Sequence, residues 1–260
     1  MENYILLVDC KDEKGLIHKI TGVLYNQRLN IINNNEFVEE KANHFFMRSE
    51  FTGEVNGDAI ITRLGDVLST DSNIKLIKQR KKSIIIFVSK EHHCLGDLLI
   101  KNEYNEINAE ILAVVSNYPD LESLVSKFNI PFYYNNHLNK ARKDHEEEIL
   151  AILEEYKPDY LVLAKYMRIL TRKFVSLFEN RIINIHHSFL PAFVGANPYE
   201  QAFRRGVKII GATSHFVTEQ LDQGPIIVQE IISIDHKYSV RDMEQAGREV
   251  EIMALSKALK

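Results

Sequence analysis

The chain has neither a G-x-G-x-x-G stretch nor a Walker-type phosphate loop, and eleven glycines in 260 residues leave little material for one. Dinucleotide and nucleoside-triphosphate enzymes are therefore disfavoured. No G-x-S-x-G elbow occurs, which removes a common serine-hydrolase design. Ten histidines invite a metal, yet H-E-x-x-H and paired C-x-x-C are both missing, and the neighbours His92/His93 and His186/His187 would diverge on extended backbone. No metal is expected. Only two cysteines are present, Cys10 and Cys94, too few for a disulfide framework or a four-thiolate centre, which suits a reducing cytoplasm. Apolar runs such as residues 84–88 fall far short of the ~20 residues that span a bilayer. The opening MENYILLVDCKDEKG meets charge too soon for a signal peptide. Neither charge sign dominates: 32 basic against 36 acidic residues give −4, so no basic field draws the chain to nucleic acid or anionic lipid. A small-molecule partner is expected.

What is present is a globular composition, 45% apolar and 26% charged, in a chain long enough to bury a sizeable core in one or two domains. All six prolines lie at Pro119 or later, and the basic run KLIKQRKK at 75–82 reads as a solvated connection. The spacing therefore predicts two domains, 1–82 and 83–260, with the boundary near Lys82. Before it, strands are predicted over 4–8, 30–38, 44–51 and 74–77. Gly15 opens a helix carrying Leu16, Ile17, Ile20, Val23 and Leu24, and a second helix carries Ile60, Ile61, Leu64, Val67 and Leu68, all at helical spacing. The order βαββαβ is ferredoxin-like. After Lys82, apolar strands at 83–88, 109–115, 131–134, 160–164 and 182–185 alternate with helical patterns from about Leu95, over 121–128 and over 146–156. Strands apolar on both faces argue for a Rossmann-like α/β fold, a mostly parallel sheet between helices. Its ligands gather at the carboxyl ends of the strands.

The stretch VDCKDEKGLIHKITGVLYNQRLNIINNNEF resembles the ACT domain, a ligand-sensing module that usually pairs with another copy. The resemblance implies a regulatory unit that assembles a homo-oligomer and takes an amino acid such as glycine or methionine, with Gly15 and Leu16 at the ligand edge. Pairing without a ligand is the simpler alternative.

The chemistry concentrates in 181–230. Asn184 and His186 end a buried strand at i, i+2, so both side chains point the same way; one is an amide donor, the other can carry a proton near neutral pH. Pro191 and Gly195 turn the chain, a strand over 207–217 follows, and Asp222 arrives just before Gly224 and Pro225, where a carboxylate can hold the imidazole and favour its charged form. His187 is expected to pack behind His186, and His137 and His145 to be solvated loop residues.

NIHHSFLPAF, HCLGDLL and LAKYMRIL resemble the folate-dependent formyltransferase family. The resemblance implies Asn184, His186 and Asp222 as catalytic residues. It implies a pterin pocket lined by Met167, Arg168, Ile169 and Leu170 on one side and by His215, Val217 and Thr218 on the other. Asn197 receives no role. The implied substrates are 10-formyltetrahydrofolate and water, without a cofactor. The products would be tetrahydrofolate and formate for purine biosynthesis and one-carbon balance. Transfer to a small amine is the alternative within the fold, and the bulky SKEHHCLGD after the first strand of this domain lacks the small phosphate-holding loop it needs. A catalytically inactive amino-acid sensor is the alternative from another class.

Overall fold

The computed structural model describes residues 2–190 and 198–260. The chain divides into two compact units, the first ending at Arg80 and the second beginning at Lys81.

The first unit follows the order β1 (Asn3–Lys11), α1 (Leu16–Asn26), β2 (Asn30–Glu39), β3 (His44–Thr52), α2 (Gly57–Val67) and β4 (Asn73–Lys78). Its sheet, ordered β2-β3-β1-β4, is antiparallel throughout. Both helices cover one face. Leu6, Val8 and Cys10 of β1 meet Leu16, Ile20 and Leu24 of α1 and Ile60 and Leu64 of α2, the period-2 and period-3.6 patterns closing on each other. Gly15 starts α1 at φ 91°, a left-handed turn that glycine enters without steric cost. Asn56 caps α2, its side chain accepting the Ala59 N–H at 3.2 Å. The basic run is strand as far as Lys78, because β4 pairs with β1 from Lys78 to Asn73.

The second unit contains β5 (Lys82–Val88), α3 (His93–Glu103), β6 (Ala109–Ser116), α4 (Glu122–Val125), β7 (Phe132–Tyr134), α5 (Arg142–Tyr156), β8 (Tyr160–Leu163), α6 (Arg172–Leu177), β9 (Ile182–His186), α7 (Pro198–Arg205), β10 (Ile209–Phe216), β11 (Ile226–Ser233) and α8 (Val240–Ala258). The sheet runs β11-β10-β9-β8-β5-β6-β7. Strands β5 to β9 pair in parallel, whereas β10 lies antiparallel to both neighbours. A single β10/β11 hairpin thus finishes the mostly parallel sheet.

Alternate residues of β5 feed two cores. Ile84, Ile86 and Val88 pack with Leu95 of α3 and Val250 and Ala254 of α8. Ile85 and Phe87 pack with Ile149 and Leu153 of α5 and Phe174 of α6. Burial on both faces makes the strand continuously apolar. Chain order reverses on either side of β5, which pairs with β6 and β8, so the crevice beyond those carboxyl ends is a topological switch point. Helix α8 starts with a full capping box: the Ser239 side chain accepts the Asp242 N–H, and the Asp242 carboxylate accepts the Ser239 N–H, satisfying two otherwise unpaired donors.

His145 is not a loop residue. It lies in α5 with 1% of its surface exposed, its Nε2 within 3.0 Å of the Asn135 carbonyl, and burial pushes its pKa down.

Candidate active site

Beyond the carboxyl ends of β8 and β9 opens a cavity of about 390 Å³. Asn184, His186 and Asp222 line it, as do Met167 to Leu170 on one side and His215, Val217 and Thr218 on the other. Three separate segments therefore deliver to one space the residues singled out from the sequence. Met167 and Ile169 are 66% and 55% exposed, an apolar surface left uncovered at the rim. Pro191, Gly195 and Asn197 lie outside the described residues. Gly15 and Leu16 belong to the first unit. Leu16 is buried in its core, so its backbone is what remains for a ligand edge.

The amide of Asn184 is aimed by register. Strand β10 pairs antiparallel with β9, placing His215 opposite Asn184, and the Asn184 Nδ2 lies 3.2 Å from His215 Nε2. The other ring nitrogen, Nδ1, is 2.9 Å from the Phe216 carbonyl oxygen. A carbonyl oxygen only accepts, so Nδ1 carries the proton and Nε2 accepts from the amide. Burial pushes the pKa of His215 down, which favours this neutral form. One amide hydrogen of Asn184 is thus held, and the other is left for the cavity.

Asp222 sits in the β10/β11 turn at φ 55°, left-handed backbone that Asp tolerates better than most residues. Two residues on, a Cβ at Gly224 would fall 1.7 Å from the Phe216 carbonyl oxygen. Only glycine lets the turn close there. The carboxylate lies 3.5 Å from His186 Nδ1 and 3.8 Å from His215 Nε2. The hydrogen bond from His186 holds the Asp222 carboxyl below the usual range, against opposition from partial burial. His186 Nε2 is buried without a hydrogen-bond partner among the described residues, bonding capacity that the fold does not use.

The two adjacent histidines do not diverge. Strand β9 ends at His186, and the bend that follows stacks the His187 ring on His186 with centroids 4.9 Å apart and planes 17° apart. His187 therefore lines the cavity itself.

Four further side chains shape the site without having been named individually from the sequence. Ser89, just after β5, accepts the Met167 N–H at 2.9 Å and donates its hydroxyl to Asn117 at 2.7 Å. Glu146 of α5 accepts the Thr171 N–H at 2.7 Å and also binds its hydroxyl. The cavity-lining loop is thereby pinned at both ends. Lys165, left-handed at φ 64°, gives its ammonium to Glu251 of α8 at 3.1 Å. Glu251 also takes the ring N–H of His93 at 2.6 Å and the Tyr199 hydroxyl at 3.4 Å. The sequence signal for Glu146 and Glu251 is a carboxylate on an apolar helix stripe: Glu146 precedes Ile149 and Leu153, and Glu251 falls between Gly247 and Leu255.

Among the described residues, His93, Cys94 and Glu251 offer ligand atoms within 4.8 Å of one another. They fit a metal poorly. The Lys165 ammonium already supplies the cation that Glu251 needs, and burial pushes the Cys94 thiol far up, away from the thiolate that binds metals.

The formyl transferase family model matches residues 82–259 and the ACT domain model residues 4–69. The formyltetrahydrofolate deformylase of Haemophilus influenzae is 52% identical over 259 residues, spanning 100% of this chain and 93% of its own. The crystal structure of a formyltetrahydrofolate deformylase from Pseudomonas syringae superposes with a TM-score of 0.90 at 35% identity, over 100% of this chain and 89% of that one. A phosphoribosylglycinamide formyltransferase from Brucella melitensis superposes with a TM-score of 0.66 at 30% identity, over 69% of this chain and 94% of that one.

Proposed function

The chain belongs to the formyltetrahydrofolate deformylase family, and from that premise we propose that Asn184, His186 and Asp222 carry its reaction. The reaction is hydrolysis of 10-formyltetrahydrofolate to tetrahydrofolate and formate. Water attacks the N-formyl carbon, a tetrahedral oxyanion forms, and the departing N10 takes a proton. Asn184 donates its free amide hydrogen to the oxyanion. Protonated His186 stabilises the same charge and then delivers its proton to N10. Asp222 orients the imidazole and helps to hold the water. Met167, Arg168, Ile169 and Leu170 face the pterin from one wall, and His215, Val217 and Thr218 from the other.

The observation that carries this reading is the convergence of Asn184, His186 and Asp222 on one cavity, with the carboxylate 3.5 Å from the ring. The proton that N10 receives comes from a side chain, and the scheme asks for no metal or bound cofactor. Purified protein given 10-formyltetrahydrofolate in buffer with chelator is expected to release formate. Formate that appears only once an amine or a metal is added would replace hydrolysis with another chemistry.

The ACT match supports an amino-acid effector, and we assign the first unit to regulation within a homo-oligomer. Glycine or methionine is expected to change the rate of formate release at saturating substrate. A rate unmoved by either removes both from consideration. No described helix is long and apolar enough to cross a membrane. We assign the enzyme to the cytoplasm, where free formate and regenerated tetrahydrofolate serve purine biosynthesis.

A further inference from the structure

Hydrolysis needs two proton carriers, one to relieve water of a proton and one to supply N10. The trio provides the second. Asp222 is poorly suited to be the first, because its Oδ1 already faces His186 and His215. We propose that His187, stacked on His186 and lining the same cavity, is the general base that takes the proton from the attacking water. This assignment rests on the deformylase reading and adds a catalytic residue to it.

The surroundings of the two stacked rings differ. His186 has the Asp222 carboxylate at 3.5 Å. His187 has no carboxylate within ion-pair distance among the described residues, and its contact to a neighbouring group is the stack itself. Four charged or titratable groups face it from separate elements. Lys165 beyond β8 and His186 of β9 disfavour a proton on it. Glu251 of α8 and Asp222 of the β10/β11 turn favour one. Burial, the largest influence, joins the first pair and brings the pKa to about 4. His187 is then neutral at pH 7 and can accept a proton. Neighbouring titratable groups set in contrasting environments are the usual sign of a division into acid and base. His187 also borders a second cavity of about 30 Å³, shared with Ser188 and Tyr199, which has room for a water molecule.

The protons balance. As the water oxygen bonds to the formyl carbon, one water proton passes to His187, and the carbonyl electron pair becomes the oxyanion. When that pair re-forms the C=O bond, the C–N bond breaks and N10 takes the proton of His186. Formic acid ionises. Of the two protons then available, from His187 and from formic acid, one recharges His186 and one leaves to solvent.

The test uses the full-length protein and two nucleophiles. In His187→Ala and His187→Gln, kcat for hydrolysis is expected to fall about 10²-fold with KM within about twofold of wild type, and imidazole should restore part of the His187→Ala rate. Hydroxylamine attacks without a base, so both variants should pass the formyl group to it at close to the wild-type rate. His186→Ala, which lacks the acid, should not. Hydrolysis in both variants within about twofold of wild type overturns the proposal. Equal loss of hydrolysis and hydroxylamine transfer in both also overturns it, since His187 would then serve binding or packing. Wild-type protein that releases no formate would overturn the underlying reading, and this proposal with it.

Discussion

His186→Ala is expected to lower kcat for formate release by at least ~10³-fold, the largest catalytic loss of any single substitution in the site. In the proposed mechanism the ring has two tasks. Its positive charge faces the developing oxyanion, a contribution of about 10² to 10³ in comparable sites, and its proton goes to N10, worth about 10² to 10⁴. The two are not additive, because one ring performs both and its removal ends both together. Asn184→Ala removes one amide donor and leaves the acid, so its loss should stay near 10² to 10³. KM should move little in either variant, since the residues proposed to face the pterin are untouched. Steady-state formate release with a circular-dichroism check of folding measures both. Near-normal turnover in His186→Ala would remove the ring from the mechanism, and an Asn184→Ala loss exceeding that of His186→Ala would reverse the proposed order of importance.

Glu251→Ala is expected to destabilise the second unit by about 3–5 kcal/mol, the cost of breaking a buried ion pair by deleting one partner. The Glu251 side chain is 2% exposed, and the substitution strands Lys165 at 12% and His93 at 7%. Burial alone would raise the Glu251 carboxyl. The hydrogen bond from His93 and the charge of Lys165 outweigh it and hold the pKa below the ordinary glutamate value. The sign follows: a carboxyl depressed in the folded state contributes its stability above the unfolded pKa and loses it as pH falls through the folded one. Thermal unfolding by circular dichroism should therefore show wild type well above Glu251→Gln at pH 7. The gap should narrow as pH drops below about 4.3. A gap independent of pH would mean that the carboxylate is not ionised in the folded protein.

Different parts of this molecule were legible from the sequence to different degrees, for physical reasons. The strands of the second unit announce themselves because both faces are covered, so β5 from Ile84 onward and β8 are unbroken apolar runs. Asn184 and His186 declare a common direction through their i, i+2 spacing. The lock on the Asn184 amide does not, because it depends on the antiparallel register that sets His215 opposite Asn184. The stack of His186 on His187 depends on which residue ends β9; one more extended residue would have sent the rings to opposite faces. The cluster around Glu251 joins α3, α7, α8 and the loop after β8, elements far apart along the chain. Only the carboxylate on an apolar stripe hints at it. His145 misleads because its polar neighbours suggest a loop, while its helix turns it into the core.

Helix α8 covers Ile183, Ile185 and Ala212 of β9 and β10 and brings Glu251 to Lys165. Protein synthesis proceeds from the amino end, so the ribosome delivers β9 and β10 before this helix. The growing chain thus holds Asn184, His186 and Asp222 while one side of its sheet is still bare and Lys165 has no counterion. During that interval the apolar strip is open to wrong association. Helix α8, arriving after the site residues, therefore both completes their surroundings and shields the sheet.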